Sequence, residues 1–186
     1  MFQIPDIVKN AINQLLNQEK QIIIAIDGSC TAGKTTLATA LAEVYDCNVF
    51  HMDDFFLRPE QRTQKRFDEA GGNVDYERFY EELLIPLKSG RPFSYRPFSC
   101  KTMTLADSIH VEPKKLSIVE GTYSHHPYFH NPYDLTIFLT VSPELRHSRI
   151  LERPAFLQEK FFNFWIPLEQ AYFREFNIQE QADLIL

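Results

Sequence analysis

Between Asp6 and Leu16 the apolar residues Ile7, Val8, Ala11, Ile12, Leu15 and Leu16 recur at steps of three and four, which predicts an amphipathic helix lying on the domain. From Gln21 to Ile26 the apolar positions become consecutive, as in a parallel strand covered on both faces. A helix-prone run from Thr36 reaches about Tyr45, and a short, partly apolar strand follows over 48–52. The charged and polar stretch from Arg58 to Gly72 reads as a mobile segment or a frayed helix. Asp75 then caps a helix over 76–87. Two extended segments, 92–98 and 108–111, read as a hairpin whose prolines keep it at an edge. Buried-type strands return at 115–119 and 135–141. Ser142-Pro143-Glu144 opens a helix with a cap, a first-position proline and an acid against the dipole, and Pro154 ends it. An aromatic-rich helix over 161–176 and a last strand over 182–186 complete the pattern. Strands alternating with helices predict an α/β fold around a central, mainly parallel sheet.

At 186 residues and 44% apolar content the chain is long enough for one well-buried core, so a single domain is expected over 1–186. The net charge of −6 argues against a general nucleic-acid binder. No apolar run approaches the roughly 20 residues of a spanning helix, and the N-terminus lacks the order of a secretion signal. The expectation is a soluble, cytoplasmic protein without nucleic-acid or membrane partners, compatible with a homo-oligomer. Cys30, Cys47 and Cys100 are too few and too scattered for a disulfide framework or a metal site.

One stretch carries specific chemistry. Gly28-Ser29-Cys30-Thr31-Ala32-Gly33-Lys34-Thr35 lies between the first strand and the helix that continues through Thr36, which is the full mononucleotide-binding signature in its confirming context. Gly28 and Gly33 permit the close backbone approach that turns successive amides toward an anion. The helix start adds unpaired N–H donors. Lys34 is expected along the outer phosphates and the Thr35 hydroxyl on a magnesium ion carried by ATP.

Other candidates keep two readings. Asp53 and Asp54 follow the second strand, where open parallel sheets bind ligands, so one of them suits the base that takes an acceptor's proton; the alternative is a turn or cap. His51 reads as a packed or solvated strand residue. Asp75 fits an N-cap as well as it fits an acceptor contact. Tyr76, Tyr95 and Phe98 suit stacking on a planar ring or a hairpin core. Glu120, closing an apolar strand, is placed to organise magnesium. Arg146, Arg149 and Arg153 share a helix face that is either solvated or part of a lid, with Arg149 and Arg153 the stronger lid candidates.

The order of phosphate loop, Met52-Asp53-Asp54-Phe55-Phe56, Val74-Asp75-Tyr76, Ile118-Val119-Glu120-Gly121, Tyr133-Asp134-Leu135 and Arg149-Ile150-Leu151-Glu152-Arg153 resembles the uridine kinase-like family of P-loop kinases, whose wider group includes nicotinamide riboside kinase and phosphoribulokinase. The resemblance covers nearly the whole chain from Gln21. It implies a three-layer P-loop fold with an acceptor-side region at about 53–112, including a small hairpin, and a lid at about 152–162. It also implies ATP and Mg2+ as cofactors and phosphoryl transfer to a hydroxyl of a nucleoside or other ribose-bearing molecule. In that family's pattern Asp53 is the base, Asp75 contacts the acceptor ribose, Thr35 and Glu120 place magnesium, and Arg149 and Arg153 belong to the lid. Where uridine kinases set a Tyr-Asp-Phe segment and a histidine against the pyrimidine, this chain reads Tyr95-Arg96-Pro97-Phe98, with Cys100 near the histidine's place, which puts uridine itself in doubt. A regulatory nucleotide switch is the rival reading, but no Asn-Lys-x-Asp occurs, and the one Asp-x-x-Gly string, Asp68-Glu69-Ala70-Gly71, lies in the polar 58–72 stretch rather than after a strand. The other rival, a degenerate nucleotide binder, sits poorly with an intact Lys34, Thr35 and Asp53.

Overall fold

Consecutive apolar residues become the centre of a sheet whose two faces are both covered. The computed structural model describes residues 2–186. Its strands are β1 (Ile22–Gly28), β2 (Cys47–His51), the short β3 (Phe93–Tyr95), β4 (Phe98–Ser99), β5 (Thr104–Leu105) and β6 (Ile109–Val111), then β7 (Leu116–Glu120), β8 (Leu135–Leu139) and β9 (Leu184–Ile185). Its helices are α1 (Asp6–Leu16), α2 (Lys34–Val44), α3 (Gln64–Asp68), α4 (76–89), α5 (Pro143–Leu151) and α6 (155–175).

Five strands pair in the order β2-β7-β1-β8-β9, all parallel. Alternation along each strand sorts the side chains into two cores. Ile22, Ile24 and Ile26 of β1, Leu116 and Ile118 of β7, and Ile137 and Leu139 of β8 face α1 and α2. Ile23, Val119 and Phe138 face the other way, toward α4, α6 and the hairpin region. Helix–sheet–helix layering is thus a direct outcome of strands that are apolar on both faces. Helix α1 covers its face through Val8 and Ile12, both fully buried; each contributes about 1.5–3 kcal/mol.

Several elements depart from the predicted outline. Strand β1 continues through Asp27 and Gly28, because Gly28 pairs with Leu139 of β8. Residues 58–72 hold a 3-10 turn at Pro59–Gln61 and the five-residue α3, capped by Thr63. That segment is pinned by Arg66, whose guanidinium donates to the Gly72 and Val74 carbonyls and to Glu77. The predicted hairpin forms as a nested pair, β3 with β6 and β4 with β5. Helix α6 starts at Ala155 rather than 161. Both α4 and α6 carry a π turn, at Tyr80–Leu84 and Phe161–Trp165, with Pro86 and Pro167 two residues beyond. A proline lacks the N–H that would close an α turn and its ring crowds the carbonyl four residues back, so the widened turn lets each helix run on. Helix α5 stops at Leu151, which leaves Arg153 beyond its last turn and exposed.

Two glycines shape the junction between sheet and loop. Gly28 has φ +136°, and a Cβ there would lie 2.2 Å from the Leu139 carbonyl oxygen. Gly33 has φ +103° with open space around it. Gly28→Ala is therefore expected to lower stability by roughly 3 kcal/mol, and Gly33→Ala by only about 1–2 kcal/mol of backbone strain. Urea midpoints of the two variants check this ordering.

Candidate active site

The loop from Gly28 to Thr35 leaves the carboxyl end of β1 and enters α2, so its amides and the start of the helix face one cleft. Gly33, in the left-handed region, stands immediately before the helix, and Thr31 is also left-handed at φ +61°. Lys34 folds back over the loop, its Nζ donating to the carbonyls of Gly28 (2.8 Å) and Ser29 (2.9 Å). The ammonium is thereby held beside the cradle before any anion arrives. Thr35 and Thr36 are exposed on the open side of the first turn.

Two buried acids brace this loop. Asp27, wholly inaccessible, accepts from the amides of Gly28 (2.7 Å), Tyr123 (3.2 Å) and His125 (3.0 Å) and from the Tyr172 hydroxyl (2.9 Å). Glu169 of α6, also buried, accepts the Cys30 amide on one oxygen (2.9 Å) and Arg146 on the other (3.2 Å). Burial holds the Glu169 carboxyl above its ordinary range, against the lowering pull of the Cys30 amide, Lys34 and Arg146. Burial first, and then the Glu169 carboxylate, push the Cys30 thiol up to about 12, so Cys30 is a neutral filler.

The parallel register places Glu120 at the end of β7 level with His51 at the end of β2 and Ile26 of β1. Glu120 Oε1 accepts from the Thr35 hydroxyl (3.0 Å) and lies 2.5 Å from His51 Nδ1. That contact is the leading cause that raises the His51 imidazole above its ordinary pKa. Asp53 follows in the 3-10 turn Met52–Phe55. Its residue is solvent-accessible at the cleft mouth while protein surrounds its carboxyl. Burial and the Glu120 carboxylate raise Asp53 above the usual carboxylate range, whereas Lys34 and His51 pull it down. Thr35 and His51 thus meet on Glu120, and Asp53 follows two residues beyond His51. Asp54 turns aside, accepting from the Tyr95 hydroxyl at 3.2 Å.

Asp75 caps α4 by accepting the Arg78 amide at 3.2 Å. Its buried Oδ2 makes no hydrogen bond, and Arg58 and Arg78 stand 3.7 and 3.6 Å from it. Cap and charged contact thus coexist in one side chain, each using a different oxygen. Tyr95 is buried, stacked on Phe55 with ring centroids 5.6 Å apart, so its ring belongs to the core. Phe98 is buried too, and Tyr76 stacks on His126. Arg96 points away into the hairpin, donating to the Ala106 (2.8 Å) and Leu105 (3.0 Å) carbonyls.

Among the arginines, Arg149 donates to the Thr31 carbonyl of the loop at 2.6 Å, and Arg146 reaches the loop through Glu169. Arg153 is exposed, and its guanidinium makes no hydrogen bond among the described residues. The early stop of α5 separates it from the other two. Glu169 and Asp27 are site neighbours that the sequence does not single out as functional; it reads His51 as packed or solvated and makes Arg146 the weakest of the three lid candidates. An acid closing the apolar run of β1 was a signal for Asp27; nothing local distinguished Glu169.

An anion cradle, a hydroxyl paired with a carboxylate, and a second carboxylate in the turn after the adjacent strand form a set able to hold a nucleotide and deprotonate a neighbouring hydroxyl. Thr35 and Glu120 fit magnesium, which takes one or two protein oxygens and fills its remaining positions with phosphate and water. No helix among the described residues is long and apolar enough to cross a membrane.

No protein-family model matches the chain. It is 29% identical over 113 residues to uridine kinase of Klebsiella pneumoniae, a match covering 54% of this chain and 52% of that protein. It is 24% identical over 152 residues to uridine kinase of Shewanella frigidimarina, covering 74% and 71%. The chain thus spans about half the length of the first of these relatives. In fold it is similar to a possible uridine kinase from Bacillus stearothermophilus, with a TM-score of 0.70 at 19% identity over 96% of this chain and 98% of that one. A candidate fructose transport system kinase from Silicibacter gives a TM-score of 0.68 at 21% identity, over 97% of both chains. The chain thus has a three-layer α/β P-loop NTPase fold, shared with that possible uridine kinase over 96% of its length, and its sequence is similar to those of uridine kinases.

Proposed function

We propose that the chain is a kinase that moves the γ-phosphoryl group of ATP, with Mg2+, to a hydroxyl of a small ribose-bearing acceptor. The observation that carries this reading is the Thr35–Glu120 contact beside Lys34 and the loop amides, with Asp53 in the turn that follows the neighbouring strand β2. The sequence kinship with uridine kinases supports it.

In this reading the loop amides and Lys34 bind the phosphates. Magnesium, when bound at Thr35 and Glu120, neutralises charge on the transferring group. Asp53 receives the acceptor hydroxyl proton on its carboxylate. Asp75, with Arg58 and Arg78 beside its Oδ2, orients the acceptor, and Arg149 faces the phosphates from the lid side. Tyr95 contributes by holding Asp54. Arg96, which stands within the stretch where the resemblance expects an aspartate, is committed to the hairpin carbonyls, and on this reading the acceptor is recognised chiefly through its sugar hydroxyls. A panel of nucleosides, other ribosides, pantothenate and sugar phosphates, followed by acceptor-dependent ADP release, tests the assignment. Absence of ADP release with every acceptor, together with absence of Mg-ATP binding, would overturn it.

Asp53→Asn is expected to cut turnover roughly 10²- to 10⁴-fold while leaving Mg-ATP affinity within about twofold. Because the folded state raises the Asp53 pKa, the native protein holds this proton more tightly than the unfolded chain. Stability attached to that proton is present below the unfolded value and is lost as pH rises through the folded one. Asp53→Asn should therefore raise Tm at about pH 7, with the gain vanishing under strongly acidic conditions, as thermal scans across pH would show. For the same reason the acidic limb of kcat/KM should fall above the ordinary aspartate range.

Glu120→Gln is expected to raise the Mg2+ concentration for half-maximal turnover by about tenfold or more. Metal titrations at saturating ATP measure that shift.

A further inference from the structure

We propose that Glu169 is a positioning residue of the phosphate site: it fixes the entry of the loop through the Cys30 amide and aims the Arg146 guanidinium at the bound triphosphate. The inference rests on the nucleotide-binding part of the reading above and adds a residue to it. Glu169 lies in the middle of α6, 139 residues from Cys30 in sequence, and its carboxylate is 3% exposed. A carboxylate placed so deeply is costly unless its oxygens are satisfied. Here both are, and by partners that bear on phosphate binding: a loop N–H and an arginine that is 16% exposed. Arg146 is its ion-pair partner at 3.2 Å, and Lys34 rests on the loop carbonyls of Gly28 and Ser29, just before the Cys30 amide that Glu169 holds.

A guanidinium offers five donors in a rigid fork. One nitrogen of Arg146 is taken by Glu169, which sets the plane of the rest and leaves donors for an anion. Arg149 is tethered to the carbonyl of Thr31, the next loop residue. Two consecutive loop residues are therefore tied to two arginines one helical turn apart, and the Glu169 tie runs through an acid on a different helix. Such prior orientation removes the ordering cost when the phosphates arrive. It also makes Arg146, rather than the exposed Arg153, the partner of Arg149.

Calorimetric titration of Mg-ATP and Mg-ADP into the full chain tests this without needing an acceptor. The ratio of the two affinities reports contacts to the terminal phosphate. Arg146→Ala is expected to lower the preference for ATP over ADP by about tenfold. Glu169→Gln keeps an acceptor for the Cys30 amide but turns an N–H2 group toward Arg146, and should lower the preference by about threefold or more. In the Arg146→Ala background Glu169→Gln should change it no further, because both act through one guanidinium. A purely structural brace would lower Tm and leave the ratio unchanged; that result in Glu169→Gln, or full additivity in the double variant, overturns the proposal. Wild-type protein that binds neither nucleotide overturns the kinase reading instead.

Discussion

A carboxylate sealed at the end of β1 sets the geometry of the site. Asp27 makes no ion pair among the described residues, and a carboxyl group buried so completely is tolerated only if its oxygens are filled by hydrogen-bond donors. Four donors fill them, and they come from three places: the phosphate loop, the segment after β7, and α6. Satisfying one side chain therefore locks those three elements together. Tyr123 accepts a φ of +81° within this arrangement, a conformation a bulky residue adopts only when its surroundings impose it.

The loop itself is prepared rather than assembled on demand. Its lysine rests on the Gly28 and Ser29 carbonyls, Cys30 is tied to α6, and Thr31 is tied to α5. Each tie uses a backbone group, so each constrains the path of the main chain whose amides form the cradle. Parallel pairing supplies the rest. Because β1, β2 and β7 run in register, Glu120, His51 and the loop emerge at the same edge, and the 3-10 turn after β2 delivers Asp53 to that edge.

Much of this was legible from residue order alone. Helix α1 was bounded by its apolar period, the hairpin by its prolines and aromatics, and Asp75 by its place before α4. The errors have local causes. Periodicity carried α5 on toward Pro154, although its cap falls at Glu152. The aromatic run hid the true start of α6, and the two prolines inside α4 and α6 were absorbed by π turns that propensity does not anticipate. Tyr95 offered an aromatic ring to the sequence reader, and packing against Phe50 and Phe55 took the ring into the core.

What the chain determined by itself was contiguous: a cradle built from eight successive residues, strands apolar on both faces, and acids placed just after them. These depend on backbone geometry and on periods of two and 3.6, both of which spacing encodes. What only the tertiary structure decided was pairing across distance. Thr35 meets Glu120 across 85 residues, and Cys30 meets Glu169 across 139. Such contacts arise from how helices seat on a sheet, where burial leaves an acid no option but the donors within reach. Residue order names the acids, and packing chooses their partners.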